Sequence, residues 1–330
     1  MERRTLGQSD LEIPVVSLGA WAIGGWMWGG ADDEASIRAI QKAIDVGMNC
    51  VDTAAIYGMG HSERIVGKAI AGRRDEVIVA TKCGLRWNLE QGQPFFESRT
   101  PDGKPCTIYR NLKRDSIKYE CEQSLQRLGI DVIDLYQCHW PDATTPIEET
   151  MGALVELQEE GKIRAIGVSN FTAEMIEECL KHGPLASDQP KYNPLEREIE
   201  SDVLPFCVER NVGILTYSPM AMGLMTGKVT VDREFKGDDT RKDRAWFSKE
   251  NRGRVLDMLA KILPIADGHD ATLAQVTLNW VLSQKGVTSV LAGARTEQQV
   301  QENVKAADFK LTDDEIATIR TLVEELGDPV

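Results

Sequence analysis

From about residue 13, short β-branched apolar runs alternate with stretches whose apolar residues recur at helical spacing. Residues 15–18, 50–53, 77–81, 132–138, 165–168, 186–189, 214–217 and 289–291 are short and apolar enough to be strands buried on both faces. Between them lie helical patterns with boundary signals. Ile37, Ile40 and Ile44 share one helix face, and Gly47 follows as a C-terminal stop. Thr145-Pro146-Ile147-Glu148 reads as an N-cap, a proline at the first helical position and a capping-box glutamate, opening a helix that ends at Gly161. Eight strand-plus-helix units with no linker predict an α/β fold, a closed (β/α)8 TIM barrel spanning residues 1–330 as a single domain, in preference to an open doubly wound sheet. Residues 3–6 and 11–13, joined through Gly7-Gln8-Ser9-Asp10, predict an N-terminal β-hairpin over the barrel's N-terminal end. Residues 88–111 and 221–252 are too long and polar for plain connections. Both follow strand C-termini, so they read either as long loops over a site at the C-terminal face or as surface insertions.

Composition narrows the class. With 42% hydrophobic and 27% charged residues the 330-residue chain is an ordinary globular one, without an apolar run long enough for a membrane span. The N-terminus leads into a polar turn, so a cytoplasmic protein is expected, a monomer or weak oligomer. A net charge of −14 argues against nucleic acid or anionic membrane as a partner and requires a local basic pocket for any anionic ligand. The seven cysteines, at 50, 83, 106, 121, 138, 179 and 207, form no Cys-x-x-Cys pair and read as reduced, mostly buried thiols. The four histidines are too scattered for a zinc set, so no metal is expected.

In a barrel, polar residues just past the strands' C-terminal ends share one mouth. Asp52 ends the second strand and Tyr57 follows it, Lys82 ends the third, and His139 ends the fourth. Singly, these read as a cap, a half-buried aromatic, a solvated strand end and a core histidine. Together they suit carbonyl reduction, in which the alkoxide forming on hydride addition must take up a proton. A phenol can supply that proton if a nearby cation, here Lys82, lowers its pKa from about 10. Asp52 would hold the ammonium, and His139 would donate a hydrogen bond to the carbonyl oxygen. Trp21, Trp26, Trp28, Trp87 and Trp140 also follow strand ends, which predicts an aromatic substrate pocket unless they are core packing.

These residues resemble the aldo-keto reductases. The block from Val51 to Gly58 with Ser62-Glu63 and Gly67 is similar to that family's signature, and Asp52, Tyr57, Lys82 and His139 match its catalytic tetrad. Further similar blocks are Ser124-Leu125 with Arg127-Leu128, Gly167-Val168-Ser169-Asn170-Phe171, Gln189-Pro190 with Tyr192-Asn193, Tyr217-Ser218-Pro219 with Gly223-Leu224, and Gly293-Ala294-Arg295-Thr296 with Gln299 and Asn303. The bacterial general-stress-protein branch looks most similar, which adds a stress-response expectation. The resemblance implies a small carbonyl substrate, an aldehyde or ketone, and a nicotinamide cofactor, NADPH, across the mouth. Ser169, Asn170 and Gln189 would hold its carboxamide and Tyr217 would stack on its ring. Ser218, Gly223 and Leu224, with Lys228 as a possible charge partner, would face the pyrophosphate. Arg295 and Thr296 would take the 2′-phosphate, and Gln299 and Asn303 the adenine.

Gly58-Met59-Gly60-His61-Ser62-Glu63 imitates the start of a Rossmann fingerprint, but Glu63 occupies the last glycine's place and the strand context is missing. His61 reads as a loop residue at the mouth. Two other activities use the same residues. Lys82 at a barrel strand end would suit a Schiff-base lyase. Chains of this fold also serve as cofactor-sensing regulatory subunits.

Overall fold

A computed structural model describes residues Met1–Val330. Eight parallel strands, Val16–Gly19, Cys50–Asp52, Ile78–Cys83, Ile133–Cys138, Ile163–Ser169, Leu185–Gln189, Gly213–Thr216 and Val287–Gly293, close into a barrel in chain order. Each corresponds to one of the eight expected runs. Helices follow every strand, and the main core lies between them and the barrel wall. The helix Asp33–Asp45 buries Ile40 and Ile44, and Gly47 follows it with φ +82°.

Side chains alternate across a strand, so the inward positions form layers. Cys50, Ala80, Leu135, Ala165, Leu215 and Leu291 make an apolar floor with Leu6, Leu11 and Ile13. Two residues further along their strands stand Asp52, Lys82, Gln137 and Gly167, so the layer above is polar. The N-terminal hairpin pairs Arg3–Thr5 with Glu12–Pro14 and closes the floor with its leucines and Ile13. Its Gly7 has φ +55° and lies so close to the sixth strand that a Cβ would come 2.2 Å from Ala186 O.

Two expectations are corrected, and a third, the long loop over residues 221–252, holds. Residues 88–111 are mostly not loop: Gln93–Arg99 and Pro105–Arg110 pair antiparallel and, with Leu85–Arg86, form a three-stranded sheet. Its Phe95 and Phe96 wall the mouth. Residues 221–252 instead run through short 3-10 turns, Ala221–Thr226, Thr240–Asp243 and Ala245–Phe247, before the helix Lys249–Gly268. Thr145 does not cap the fourth barrel helix, Ile147–Glu159, whose cap position is Pro146. The Thr145 hydroxyl donates to Asp142 Oδ2 instead, at 2.7 Å, because Asp142 gathers Thr144, Thr145 and the Leu112 N–H into its own turn.

Candidate active site

Asp52 and Lys82 project from adjacent strands into the polar layer, and both are almost wholly buried. Lys82 Nζ donates to Asp52 Oδ2 at 2.6 Å, to Thr53 O at 3.0 Å and to Tyr57 Oη at 3.4 Å. An ammonium has three hydrogens, and each has an acceptor. Asp52 Oδ1 accepts from Gln189 Nε2 at 2.8 Å and from Gln137 Nε2 at 3.2 Å, so the carboxylate is held from both sides.

Tyr57 sits in a tight turn between the second strand and the helix His61–Ile70. Thr53 Oγ1 and Ser62 Oγ are 2.8 Å apart across that turn, and Ser62 Oγ also donates to Ala20 O, which ties the turn to the first strand. The Tyr57 ring stacks on Trp21 at 6.2 Å and meets the His139 ring edge-on at 5.6 Å. The His139 ring has no protein hydrogen-bond partner; only its backbone is engaged, the N–H by Cys83 O and the carbonyl by Asn170 Nδ2. All four tetrad candidates therefore converge. Their electrostatics differ from the expectation in one respect. Burial, with Asp52 adding to it, pushes the Tyr57 phenol well above its usual 10.0. Lys82 does not bring it down, because its charge faces Asp52 at the shorter distance. Burial likewise lowers Lys82, against the pull of Asp52, and drives His139 well below 6.5, with Lys82 adding repulsion. Tyr57 is thus a protonated phenol whose oxygen accepts from Lys82, leaving its own O–H free to donate.

Two cavities meet at this point, sharing Trp21, Tyr57, Tyr217, Ser218 and Met222. The first, about 560 Å³, is walled by Trp21, Trp26, Phe95, Phe96, Trp140 and Trp246, with His139, Ser169, Asn170 and Gln189 at its base. Five of the eight non-glycine residues with positive φ line it: Met27, Asn170, Ser218, Ala221 and Met222. Such concentrated backbone strain marks a shaped site. The second cavity, about 260 Å³, runs over Gly19, Gly223 and Gly293 to Arg233, Arg241, Arg295, Gln299 and Asn303.

The remaining expected residues divide. Trp21, Trp26 and Trp140 line the aromatic cavity, whereas Trp28 lines the second one, under Arg241 at 4.7 Å. Trp87 lines neither and packs against the small cluster around Leu85 and Ile108. Leu224 is core, and the Thr296 hydroxyl caps the helix Glu297–Val304 by accepting from Gln299 N. Lys228 reaches the second cavity but is clamped by both oxygens of Glu302 at 2.7 Å. Ser169 Oγ donates to Gln189 O, and Tyr217 Oη donates to Asn170 Oδ1, so the expected carboxamide ligands are already tied to one another. The Rossmann-like glycines cradle nothing: Gly60 abuts Arg127 and Arg64, and the buried Glu63 binds Arg127 at 2.5 Å. His61 is the first residue of its helix and pairs with Asp33 at 2.8 Å. Arg233, Arg241, Arg244, Gln137, Phe95, Phe96 and Trp246 were not foreseen. Only Gln137 carried a usable signal, as a polar residue at an inward position of an apolar strand.

The model of the Aldo/keto reductase family matches residues 15–324. The chain belongs to the aldo/keto reductase family. Family members with different cofactors in their names are similar to it over most of its length. The NADH-specific methylglyoxal reductase of Escherichia coli is 40% identical over 99% of both chains. Aldo-keto reductase yakc [NADP(+)] of Schizosaccharomyces pombe is 33% identical over 93% of this chain and 88% of the relative. Among solved structures, the glycerol dehydrogenase AKR11B4 of Gluconobacter oxydans superposes with a TM-score of 0.87 at 38% identity, covering 99% of this chain and 97% of that one. Sites of (β/α)8 barrels lie at the C-terminal face, where the two cavities join.

Proposed function

We propose that this protein is an NADPH-dependent carbonyl reductase, with Tyr57 as the general acid. The observation that carries the reading is the Tyr57 hydroxyl, which accepts from Lys82 and faces the same cavity as a His139 ring free of partners. An aldehyde or ketone oxygen between Tyr57 and His139 receives hydrogen bonds from both, and as alkoxide charge grows Tyr57 transfers its proton. Lys82 stabilises the phenolate left behind, and Asp52, fixed by Gln137 and Gln189, keeps Lys82 in place. The three acceptors around Nζ match an ammonium, which has no lone pair to offer a carbonyl, and this weighs against a Schiff-base lyase.

The second cavity suits the cofactor. Arg295 is half-buried beside Arg241 and Arg233, and burial together with these like charges lowers its pKa from 12.5. Asp239 pairs with Arg241 at 2.7 Å, and Arg233 and Arg295 have no ion pair of their own. Such a crowd of guanidiniums is relieved by a phosphate. When bound, the nicotinamide cofactor supplies the hydride. Tyr217 offers a ring to stack on, and Gln189 keeps Oε1 to accept from the carboxamide. Ser218 and Gly223 would hold the pyrophosphate, and Gln299 and Asn303 the adenine. The three arginines favour NADPH over the NADH printed in the name of the E. coli relative. Loss of reduced-nicotinamide absorbance, followed with NADPH and then NADH against methylglyoxal and a panel of aldehydes and ketones, tests the proposal. No turnover with either cofactor refutes it.

A further inference from the structure

The aromatic cavity carries a charge that the reaction does not use. Three charged side chains line it: Lys191, Glu196 and Arg244. Lys191 and Glu196 neutralise each other at 2.7 Å, and Asn193 Nδ2 also donates to Glu196. Arg244 stands at the junction of the turns Thr240–Asp243 and Ala245–Phe247, held there by backbone hydrogen bonds to Arg241 and Phe247. Its guanidinium has no hydrogen-bond or ion-pair partner, whereas nearby Arg241, which lines the second cavity, is locked to Asp239. Asp243, its neighbour in sequence, does not line the cavity. Burial raises the Tyr217 phenol, and Arg244 lies close enough to pull against that rise.

Size and charge then constrain the occupant. A three-carbon aldehyde leaves most of about 560 Å³ to water, whereas rings lined by Trp21, Trp26, Phe95, Phe96, Trp140 and Trp246 favour an apolar or aromatic body. The chain's net charge of −14 disfavours anions in general, so an unpaired guanidinium lining a mainly apolar cavity is a selective feature. We infer that Arg244 is a specificity residue, selecting carbonyl compounds whose apolar or aromatic body ends in a carboxylate at the far side from the reacting carbon. Guanidinium matches carboxylate in a two-point fork, which fixes orientation as well as affinity. This inference rests on the carbonyl-reductase reading of the same cavity.

The experiment compares 4-carboxybenzaldehyde with 4-methylbenzaldehyde, which differ only at the end facing Arg244. The ratio of their kcat/KM values is expected to fall about tenfold in Arg244→Gln, the worth of one charge-assisted hydrogen bond at an open site. Arg244→Lys should recover part of it, and raised salt should erode the wild-type ratio, since Arg244 is exposed. Using a ratio removes any general loss of activity and any electronic difference between the aldehydes. Calorimetric titration with 4-carboxybenzyl alcohol and 4-methylbenzyl alcohol reads the same preference without turnover. An unchanged ratio in Arg244→Gln, with equal affinity for the two alcohols in the wild type, overturns the inference. Selective binding of the acid without turnover of any aldehyde instead upholds the anion site and refutes the reductase reading.

Discussion

Gly167 leaves the space that Gln137 fills: a Cβ on Gly167 would lie 2.8 Å from Gln137 Cγ and 2.8 Å from Ser187 Oγ. The amide of Gln137 crosses the barrel there to reach Asp52. Gly167→Ala is therefore expected to push Gln137 off Asp52, lowering stability by about 1–3 kcal/mol through overpacking. It should lower kcat about tenfold by loosening a group that positions Lys82. Denaturant midpoints and steady-state kinetics on one aldehyde measure both effects.

Tyr57→Phe keeps the ring that stacks on Trp21 and removes the hydroxyl that meets Lys82. The loss in kcat should be on the order of 10²–10⁴ or more, with cofactor affinity nearly unchanged. Single-turnover reduction of an aldehyde, beside a cofactor titration by fluorescence, separates the two. Near-wild-type kcat removes Tyr57 from the mechanism.

His139 makes stability depend on pH with a definite sign. Burial and Lys82 hold its folded pKa well below the 6.5 of a free imidazole. Below pH 6.5 the unfolded chain takes up a proton that the native one refuses, so the contribution of His139 is complete above that pH. It is lost as the pH falls toward the folded value, by about 1.4 kcal/mol per pH unit at most. Asp188, raised from 3.8 to about 8 by burial, acts oppositely, losing its contribution as pH rises through that range. The difference between wild type and His139→Gln isolates the histidine: thermal melts should converge at acid pH and separate toward neutrality. Reduction by the wild type should show no acid limb at the usual imidazole midpoint, because the ring stays neutral.

Arg295→Ala should weaken NADPH about ten- to a hundredfold and leave NADH nearly unchanged, since only the former presents a 2′-phosphate. Fluorescence titration of both proteins with both cofactors decides it. Equal losses, or none, assign Arg295 to holding the loop at Gly30, whose carbonyl its Nη1 contacts at 3.2 Å.

What the sequence made legible follows from periodicity. The eight barrel strands and the four convergent residues were readable because strand ends of a parallel barrel share one face, so spacing alone places Asp52, Lys82 and His139 together. The covering segments were not. Gln93–Arg99 is half-exposed along its length, so it lacks the apolar face that marks a strand. Arg233, Arg241 and Arg244 lie in turns without a period, and nothing local tells which of them points inward. The tryptophans divide for a related reason: an aromatic after a strand can line the mouth, as Trp140 does, or pack outside it against the cluster around Leu85 and Ile108, as Trp87 does. The Tyr57 environment was misjudged because an ion pair cancels most of a cation's field, and only distances reveal the pairing.

The sealed floor has a kinetic meaning. With Leu6, Leu11 and Ile13 stoppering one end, the barrel is a vessel with a single opening, and the two cavities share Tyr57 and Tyr217 at their junction. Everything that enters leaves by the same rim, on the side of the barrel away from the hairpin. The hairpin therefore confines all traffic to the side of Tyr57, although none of its residues lines either cavity.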